Sequence, residues 1–364
     1  MSLVPKHIKN LSPYKPGKTI DSVQKKYNLK RIIKLASNEN PLGPSKKSLD
    51  AVSEILFDSH RYPDASGLFL REKLAKKFNV KTSNVILGSG SEGIMSSIIR
   101  TFLKESDELI SSENSFIGFR VLANASGNKV NWVPKKSYKY DLDGIIKKIN
   151  TNTKIIYIAN PDNPTGTYIT KNEFDMFINK VPDRVLVILD EAYFEYAEHI
   201  EDYPDSMFYR YDNVITLRTF SKVYGLAGFR VGYGFAHQNL IGNLMKVKLP
   251  FEPSSSSQVA AIAALDDLEH LDETILLNRN EMIRVCGNLK ENKLSFIPSI
   301  ANFVTIIFNS RNDAINSSKF LLKNGVIVRD LIGFGLPDCI RVTIGTKNEN
   351  DIFIKKIKEY IYNS

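Results

Sequence analysis

The chain has 364 residues with a net charge of +9, and 43% of its residues are hydrophobic and 24% charged. These fractions are close to globular averages and argue against disordered and fibrous proteins, while the length predicts two domains, or one large and one small. The lysine pairs are spread along the chain without a long basic block, which is typical of solvated helix faces. We therefore expect no nucleic acid partner, although a basic surface attracts anionic substrates.

The sequence gives little support for a metalloprotein, a disulfide-rich protein or a membrane protein. Cys286, Cys339 and five scattered histidines show no spacing typical of a disulfide framework or a metal site. No apolar stretch reaches 18 residues, and Pro5, His7 and Lys9 lie where a signal peptide needs its apolar core. We expect a soluble, cytoplasmic protein that binds neither a metal ion nor a membrane.

The first part of the chain, residues 1–44, predicts an irregular N-terminal arm. Prolines at positions 5, 13 and 16 interrupt it, and residues 38–44 contain two more prolines and a glycine. Such residues break both helices and strand ladders. A helix over Ser45–Phe57 is predicted to follow.

Residues 45–255 alternate apolar runs with helical patterns. A short strand over Val85–Leu87 precedes a glycine turn and a helix that ends near Leu103. Further strands are predicted over Lys154–Ala159, Val185–Leu189, Val214–Leu217 and Val231–Phe235. Continuous apolar runs of this length are typical of strands buried on both faces, so we predict a large α/β domain with a mostly parallel sheet.

After residue 255 the pattern changes to that of a smaller α+β domain, residues 256–364. One long helix is predicted over Ser256–Lys290, because alanines favour helix there. The remaining predictions are strands over 303–308, 326–329 and 340–344 and helices over 313–323 and 349–362.

The segment Thr219-Phe220-Ser221-Lys222 follows one of the predicted strands, and Arg230 comes eight residues after the lysine. Hydroxyls, backbone N–H groups and a guanidinium can together bind a phosphate. A lysine amine between them can react with an aldehyde. The alternative interpretation is an ordinary polar loop.

Polar groups also follow other predicted strands. Asp190 ends a buried strand, where α/β sheets bind ligands, and its charge needs a partner such as a protonated pyridine nitrogen; a helix N-cap is the alternative. The two prolines in Asn160–Gly166 can hold Asn163 rigidly, although without further context a plain Asn-Pro turn is the favoured interpretation. Gly88–Glu92 joins a strand to a helix, and its N–H groups form an anion site.

In their order and chemistry, these segments resemble the fold-type I aminotransferases that use pyridoxal phosphate, from about residue 35 to the C terminus. Within that class the chain is most similar to the histidinol-phosphate aminotransferases. The matching segments are 11–17, 35–43, 61–64, 301–303, 325–330 and 341–346. The resemblance implies a large domain with a mostly parallel seven-stranded sheet between helices and a smaller α+β C-terminal domain.

The same resemblance implies an activity: the amino group of L-histidinol phosphate passes to 2-oxoglutarate, giving imidazole acetol phosphate and glutamate, in histidine biosynthesis. It further implies pyridoxal 5'-phosphate as the cofactor and a homodimer. Three alternatives stay open at this point. They are an aromatic amino acid aminotransferase, a pyridoxal phosphate-dependent decarboxylase of a phosphorylated amino acid, and a basic binding protein without enzymatic activity.

The resemblance also assigns residues to the cofactor ring. It implies that Lys222 holds the cofactor as a Schiff base and then moves a proton at the substrate's α-carbon. Asp190 would pair with the ring nitrogen, which makes the ring an electron sink. Asn163 and Tyr193 would bind the ring's 3-hydroxyl, and Phe116 would stack on the ring.

Other residues are assigned to the two anionic ends of the site. The set implied for the cofactor phosphate comprises Ser91, Glu92, Thr219, Ser221 and Arg230, together with Tyr62 reaching from the neighbouring subunit. The set implied for the substrate comprises Tyr14, Asn38, Arg329 and Arg341. An arginine suits both a carboxylate and a phosphate, which one site must accept in turn.

Two positions depart from the family pattern. Glu92 is followed by Gly93, where relatives continue with an acidic pair. Glu252 follows the Pro250-Phe251 pair, where relatives often carry an asparagine. A carboxylate in the substrate pocket would disfavour a phosphate, so Glu252 bears on the choice of substrate.

Overall fold

The computed structural model describes residues 3–13, 17–209 and 212–363. Its helices are α1 (Lys6–Lys9), α2 (Ile20–Tyr27), α3 (Lys46–Ile55), α4 (Leu68–Lys77), α5 (Gly90–Phe102), α6 (Ile117–Ala125), α7 (Leu142–Lys148), α8 (Lys171–Ile178), α9 (Phe194–Ala197), α10 (Ser206–Tyr209), α11 (Gln238–Val247), α12 (Ser255–Leu265), α13 (Leu268–Glu291), α14 (Arg311–Lys323) and α15 (Lys347–Tyr362). Its strands are β1 (Ile33–Leu35), β2 (Val85–Gly88), β3 (Glu108–Ser112), β4 (Lys129–Val133), β5 (Thr153–Ala159), β6 (Leu186–Asp190), β7 (Val214–Thr219), β8 (Gly232–Phe235), β9 (Ser295–Ile297), β10 (Phe303–Ile307), β11 (Val326–Asp330) and β12 (Cys339–Thr343).

The larger sheet has seven strands in the order β2-β8-β7-β6-β5-β3-β4. Only β8 runs antiparallel to its neighbours, β2 and β7, so the prediction of a mostly parallel seven-stranded sheet is confirmed. Every residue of β6 is buried, because helices cover both faces. Val187 packs among residues of α8, such as Phe174, on one face, whereas Ile188 packs among residues of α5, such as Ile98, on the other.

The smaller sheet has five strands in the order β1-β11-β12-β10-β9. Its first strand was not predicted: Leu35 pairs in parallel with Val328, and residues 20–27 form helix α2. The prediction of a wholly irregular arm over residues 1–44 was therefore wrong in these two segments and in the short helix α1. A three-residue strand is too short to show a sequence period, and its hydrogen bonds come from a partner almost 300 residues away.

The predicted helix over Ser256–Lys290 is two helices, α12 and α13, with a break at Asp266 and Asp267. Helix α12 packs against α3, where Ser48 Oγ donates a hydrogen bond to the carbonyl oxygen of Ala260 over 3.0 Å. Helix α13 places Leu271 in the core beside the large sheet and Val285 in the core of the small sheet. Helix α13 therefore contacts both units, and the predicted division at residue 255 stays a prediction.

Neither a membrane-spanning helix nor a cluster of metal ligands occurs in the described part of the chain. No helix there is long and apolar enough to cross a membrane. The same residues contain no group of three or more His, Cys, Asp or Glu side chains placed to hold a metal ion. Cytoplasmic localisation stays a prediction.

Candidate active site

A cavity lies at the carboxyl edge of the large sheet, where β5, β6 and β7 end. Its lining residues are Gly90, Ser91, Glu92, Phe116, Ala159, Pro161, Asn163, Asp190, Ala192, Tyr193, Thr219, Ser221, Lys222 and Arg230. The structure thus brings together ten of the eleven residues proposed for the cofactor, all except Tyr62. This edge is where open α/β sheets bind ligands.

Asp190 is the last residue of β6 and is 3% exposed. Its Oδ2 accepts a hydrogen bond from the Tyr157 hydroxyl over 2.7 Å, whereas its buried Oδ1 has no partner among the described residues. Burial raises the pKa of Asp190 to about 7, although the bond from Tyr157 opposes the shift. A buried carboxylate oxygen without a partner is costly, so the site is built for a donor or a cation at this point.

Lys222 lies on the loop after β7, with Nζ 5.6 Å from the centre of the Tyr193 ring. Burial lowers the pKa of Lys222 to about 8, and the positive charges of Arg341 and Arg230 act in the same direction. A lysine with such a pKa has a substantial neutral fraction near neutral pH, which a nucleophile and a base require.

Tyr193 and Asn38 form a hydrogen-bonded pair between the two sheets. Asn38 Nδ2 donates to the Tyr193 hydroxyl over 2.8 Å, and Asn38 itself is held by Thr343 and Asn302. Burial raises the pKa of Tyr193 to about 12, so the hydroxyl keeps its proton and can donate to a ligand in the cavity. The structure thus places Asn38, proposed for the substrate, directly behind the cofactor site.

Arg341 lies on β12 of the small sheet and reaches across to the large one. Its Nη1 donates to Asn163 Oδ1, and its Nη2 donates to the carbonyl oxygen of Ala36 over 2.9 Å. Arg329 on β11 is its register partner, so both side chains lie on one face of the sheet, each stacked near the Phe334 ring. Two like charges facing each other favour an anion between them. Tyr14, also proposed for the substrate, lies outside the described residues.

The N-terminus of α5, a helix of 13 residues, faces the loop after β7. Ser91 belongs to its first turn, where backbone N–H groups have no partner within the helix. Opposite it, the Ser221 amide donates to Thr219 Oγ1 over 3.1 Å, and the Thr219 hydroxyl donates to Ser221 Oγ over 3.0 Å. Helix N–H groups and hydroxyls around one space form an anion site.

Arg230 completes this side of the cavity. Its Nη2 lies 3.1 Å from Glu92 Oε2, so the Glu92 side chain contacts the arginine proposed for the phosphate. Gly90 has a φ of +70°, and a Cβ there would lie 2.8 Å from Arg230 Nη2. Only glycine allows both that backbone conformation and such a close approach.

The two departures from the family pattern are neighbours in space. Glu252 Oε2 lies 3.7 Å from the point where a Cβ on Gly93 would be, so the glycine leaves room for the carboxylate. Glu252 is therefore beside the first turn of α5, next to the anion site. It does not line the cavity itself.

Tyr62 does not line the cavity of its own chain. Its side chain is 79% exposed and stacks on Phe251, with ring centres 4.3 Å apart. A role at the phosphate of a neighbouring subunit therefore stays a prediction.

Comparison with known proteins decides the family. Residues 30–357 match the family described as aminotransferase class I and II.

The chain belongs to this family.

Relatives of this aminotransferase are similar to it in sequence along almost their whole length. The histidinol-phosphate aminotransferase of Caldicellulosiruptor saccharolyticus is 42% identical over 97% of this chain and 99% of its own. Histidinol-phosphate aminotransferase 1 of Nitrosococcus oceani is 39% identical over 96% and 95% of the two chains. The crystal structure of histidinol-phosphate aminotransferase from Sinorhizobium meliloti in complex with pyridoxal-5'-phosphate superposes with a TM-score of 0.90, at 27% identity, over 100% of this chain and 98% of that one.

Three structural observations test whether the residues of this aminotransferase fit pyridoxal phosphate. The free Oδ1 of Asp190 offers a charged acceptor to a protonated ring nitrogen. The first turn of α5, with the hydroxyls of Thr219 and Ser221 and with Arg230, offers donors to a phosphate. Lys222 lies in the same cavity and can reach an aldehyde there. The donor set fits the cofactor.

Three residues that hold the site were not predicted. Tyr157 lies in the middle of β5 and bonds to Asp190, while Asn302 and Thr343 hold Asn38. The signal for Tyr157 was a hydroxyl inside an otherwise apolar run, because a buried tyrosine hydroxyl needs a partner. The other two lie in segments that match the family, but their partner Asn38 is 264 and 305 residues away, so local periodicity does not indicate the contact.

Proposed function

We propose that this aminotransferase uses pyridoxal phosphate to transfer the amino group of L-histidinol phosphate to 2-oxoglutarate, in histidine biosynthesis. The observation that carries the proposal is the shared cavity of Lys222 and Asp190, with Arg341 reaching its wall through Asn163. Relatives at 39–42% identity that are named histidinol-phosphate aminotransferases support the choice of substrate.

The cofactor would be held by residues that already face one another. Asp190 would compensate the charge of the ring nitrogen, and Tyr193 and Asn163 would hydrogen-bond the ring oxygen. Phe116 also lines the cavity and would pack on the ring face. Bound pyridoxal phosphate supplies a carbonyl that takes up the amino group and a ring that stabilises negative charge at the substrate's α-carbon.

Lys222 would carry out the proton transfer. Its amine, with a pKa lowered to about 8, would take a proton from the substrate's α-carbon and deliver it to the C4′ carbon of the cofactor. Arg341 and Arg230 disfavour the charged form of Lys222, and burial acts in the same direction. These effects raise the neutral fraction of the amine near neutral pH well above that of a free lysine.

Arg341 and Arg329 would bind the anionic group of the substrate. A planar guanidinium binds a carboxylate or a phosphate with two parallel hydrogen bonds, so one pair of arginines can serve histidinol phosphate and 2-oxoglutarate in turn. Asn38, between Thr343 and Tyr193, would transmit the position of the small sheet to the cofactor ring.

The test is to supply purified enzyme, loaded with pyridoxal phosphate, with 2-oxoglutarate and one amino donor at a time. Glutamate formation with histidinol phosphate, well above that with phenylalanine, is the expected result. Glutamate formed with phenylalanine alone would overturn the proposal in favour of an aromatic aminotransferase. Release of carbon dioxide from threonine phosphate would favour a decarboxylase. In Glu252→Gln we expect tighter binding of pyridoxal phosphate, because a carboxylate near the site proposed for its phosphate is removed.

We further propose a homodimer in which Tyr62 of each subunit serves the site of its neighbour. The exposure of Tyr62 supports this, as does that of Phe57 and Phe69, which are 92% and 74% exposed on nearby parts of the chain. Mixed dimers of Tyr62→Phe and Lys222→Ala subunits provide the test. Each mixed dimer has one site with both residues intact, so we expect partial recovery of activity on mixing. A monomer by light scattering would contradict the proposal.

A further inference from the structure

A buried ion pair lies behind the wall of the cavity. Lys135 Nζ contacts Asp162 Oδ2, and the two side chains are only 5% and 1% exposed. Neither residue lines the cavity. Asp162 belongs to the Asn160–Gly166 segment, but neither the resemblance nor the proposed chemistry gives it a role.

Asp162 accepts hydrogen bonds on both carboxylate oxygens. Ser115 Oγ donates to Oδ1 over 2.8 Å, and Thr165 Oγ1 donates to Oδ2 over 2.7 Å beside the lysine. One carboxylate therefore links the loop after β3, the loop after β5 and the segment after β4. A buried charge with this many donors is fully compensated, which makes the arrangement rigid.

Tyr140 extends this hydrogen-bond network, and the donor and acceptor of each of its bonds are fixed. Its hydroxyl lies 2.6 Å from Ser115 Oγ and accepts the backbone N–H of Ala159 over 3.0 Å. Because the hydrogen of Ser115 goes to Asp162, the tyrosine must donate to the serine. Burial raises the pKa of Tyr140 well above its ordinary value, so the hydroxyl keeps this proton.

The network ends next to two residues of the cofactor site. Ser115 directly precedes Phe116, and Asp162 directly precedes Asn163; both following residues line the cavity. The distance between Ser115 and Asp162 therefore sets the distance between the residue on the ring face and the residue at the ring oxygen. Asn163 also accepts the bond from Arg341, so a shift of its loop would reach the substrate arginine as well.

We propose that Lys135, Asp162, Ser115 and Tyr140 are positioning residues that fix Phe116 and Asn163 relative to each other for the cofactor ring. This inference rests on the proposed function, because it assumes pyridoxal phosphate in the cavity. The ion pair carries no net charge, so it holds the loop without adding a charge beside the ring.

The double variant Lys135→Met/Asp162→Asn tests the proposal, because it removes both charges at nearly constant shape. A single change would leave one buried charge uncompensated and endanger folding. We expect the double variant to fold but to bind pyridoxal phosphate on the order of tenfold more weakly. The loss of residues that orient the ligands of a metal ion weakens metal binding by a similar factor. The pH at which the visible absorbance of the bound cofactor changes should also shift.

Two further variants separate positioning from stability. Leu289→Ala opens a cavity in the core of the small sheet and should lower the melting temperature without moving either readout. Tyr140→Phe removes one hydroxyl and keeps the ion pair, so it tests the network even if the double variant fails to fold. It should weaken cofactor binding severalfold.

Wild-type affinity and an unshifted absorbance titration in the double variant would overturn the inference. The inference would also be overturned if the double variant and Leu289→Ala lost the same stability and showed equal shifts. If the double variant does not fold, wild-type cofactor affinity in Tyr140→Phe would overturn it. A wild-type protein that takes up no pyridoxal phosphate would instead overturn the proposed function, so the two failures are distinguishable.

Discussion

The two sheets contribute to the site in different ways. The large sheet presents Asp190 and the Lys222 loop at the ends of strands that are buried along their whole length. The small sheet presents Arg341 and, through β1, Asn38, and these reach the site only by crossing to the other unit. In the proposed function the large sheet would therefore hold the cofactor, and the small sheet would select the substrate.

Contacts between the sheets make the two parts interdependent. Arg341 donates to Asn163, Asn38 donates to Tyr193, and Thr305 Oγ1 donates to the carbonyl oxygen of Pro164 over 2.5 Å. The charge of Arg341 also lowers the pKa of Lys222. A change in the small sheet should thus be measurable as a change in the chemistry of the large one.

The largest effect is expected from Lys222→Ala. Loss of the base should lower kcat by at least about 10³-fold, within the range of general acid–base catalysis. Steady-state transamination with histidinol phosphate measures it. Lys246→Ala, on the exposed face of α11, serves as the control and should keep wild-type rates. A Lys222→Ala enzyme with near-normal kcat would break the assignment.

The second-largest effect is expected from Asp190→Asn. Without the carboxylate the protonated ring nitrogen lacks its partner, and an uncompensated buried charge costs about 3–5 kcal/mol, so kcat/KM should fall by about 10²-fold or more. Tyr157→Phe removes only the bond to Asp190 and should cost about 1 kcal/mol. Equal losses in the two variants would show that the charge of Asp190 is not what matters.

The arginines of the small sheet should have intermediate effects. Arg341→Ala is expected to weaken both half-reactions by about 1.5–3 kcal/mol each, the range for hydrogen bonds to charged groups. Arg329→Ala should cost less, because Arg329 is more exposed than Arg341. Single-turnover rates with histidinol phosphate and with glutamate separate the half-reactions. If neither rate changes in Arg341→Ala, the arginine does not bind substrate.

The smallest expected effect is a shift in the pH dependence of cofactor uptake, which tests the electrostatic coupling between the two sheets. Uptake of pyridoxal phosphate needs the neutral amine of Lys222, whose pKa is lowered to about 8, so the uptake rate should rise with pH and level off above that value. Arg341→Ala removes a charge that lowers this pKa and should move the rise to higher pH. Stopped-flow absorbance measures the rate, and an unshifted profile would contradict the coupling between the sheets.

The sequence predicted the part of the site whose residues lie in short, continuous segments of the chain. Asp190 and the Thr219–Lys222 segment end continuous apolar runs, and such runs predict both a buried strand and the edge where ligands bind. The seven-stranded sheet followed from the same pattern together with the family resemblance. Because these signals are contiguous in the chain, no knowledge of tertiary contacts was needed.

The parts that escaped prediction depend on distant partners. Strand β1 exists because Leu35 pairs with Val328, and Asn38 is placed by Asn302 and Thr343. Likewise, nothing near Lys135 in the sequence indicates its pairing with Asp162. Such contacts are decided by packing between segments, which sequence periodicity does not report.

Borohydride reduction followed by peptide mapping tests the central claim most directly. Enzyme loaded with pyridoxal phosphate should lose its visible absorbance on reduction and carry the reduced cofactor on the peptide that contains Lys222 alone. Lys222→Ala should carry none. A reduced cofactor on another lysine, or a protein that takes up no pyridoxal phosphate, would contradict the assignment of this cavity as the cofactor site.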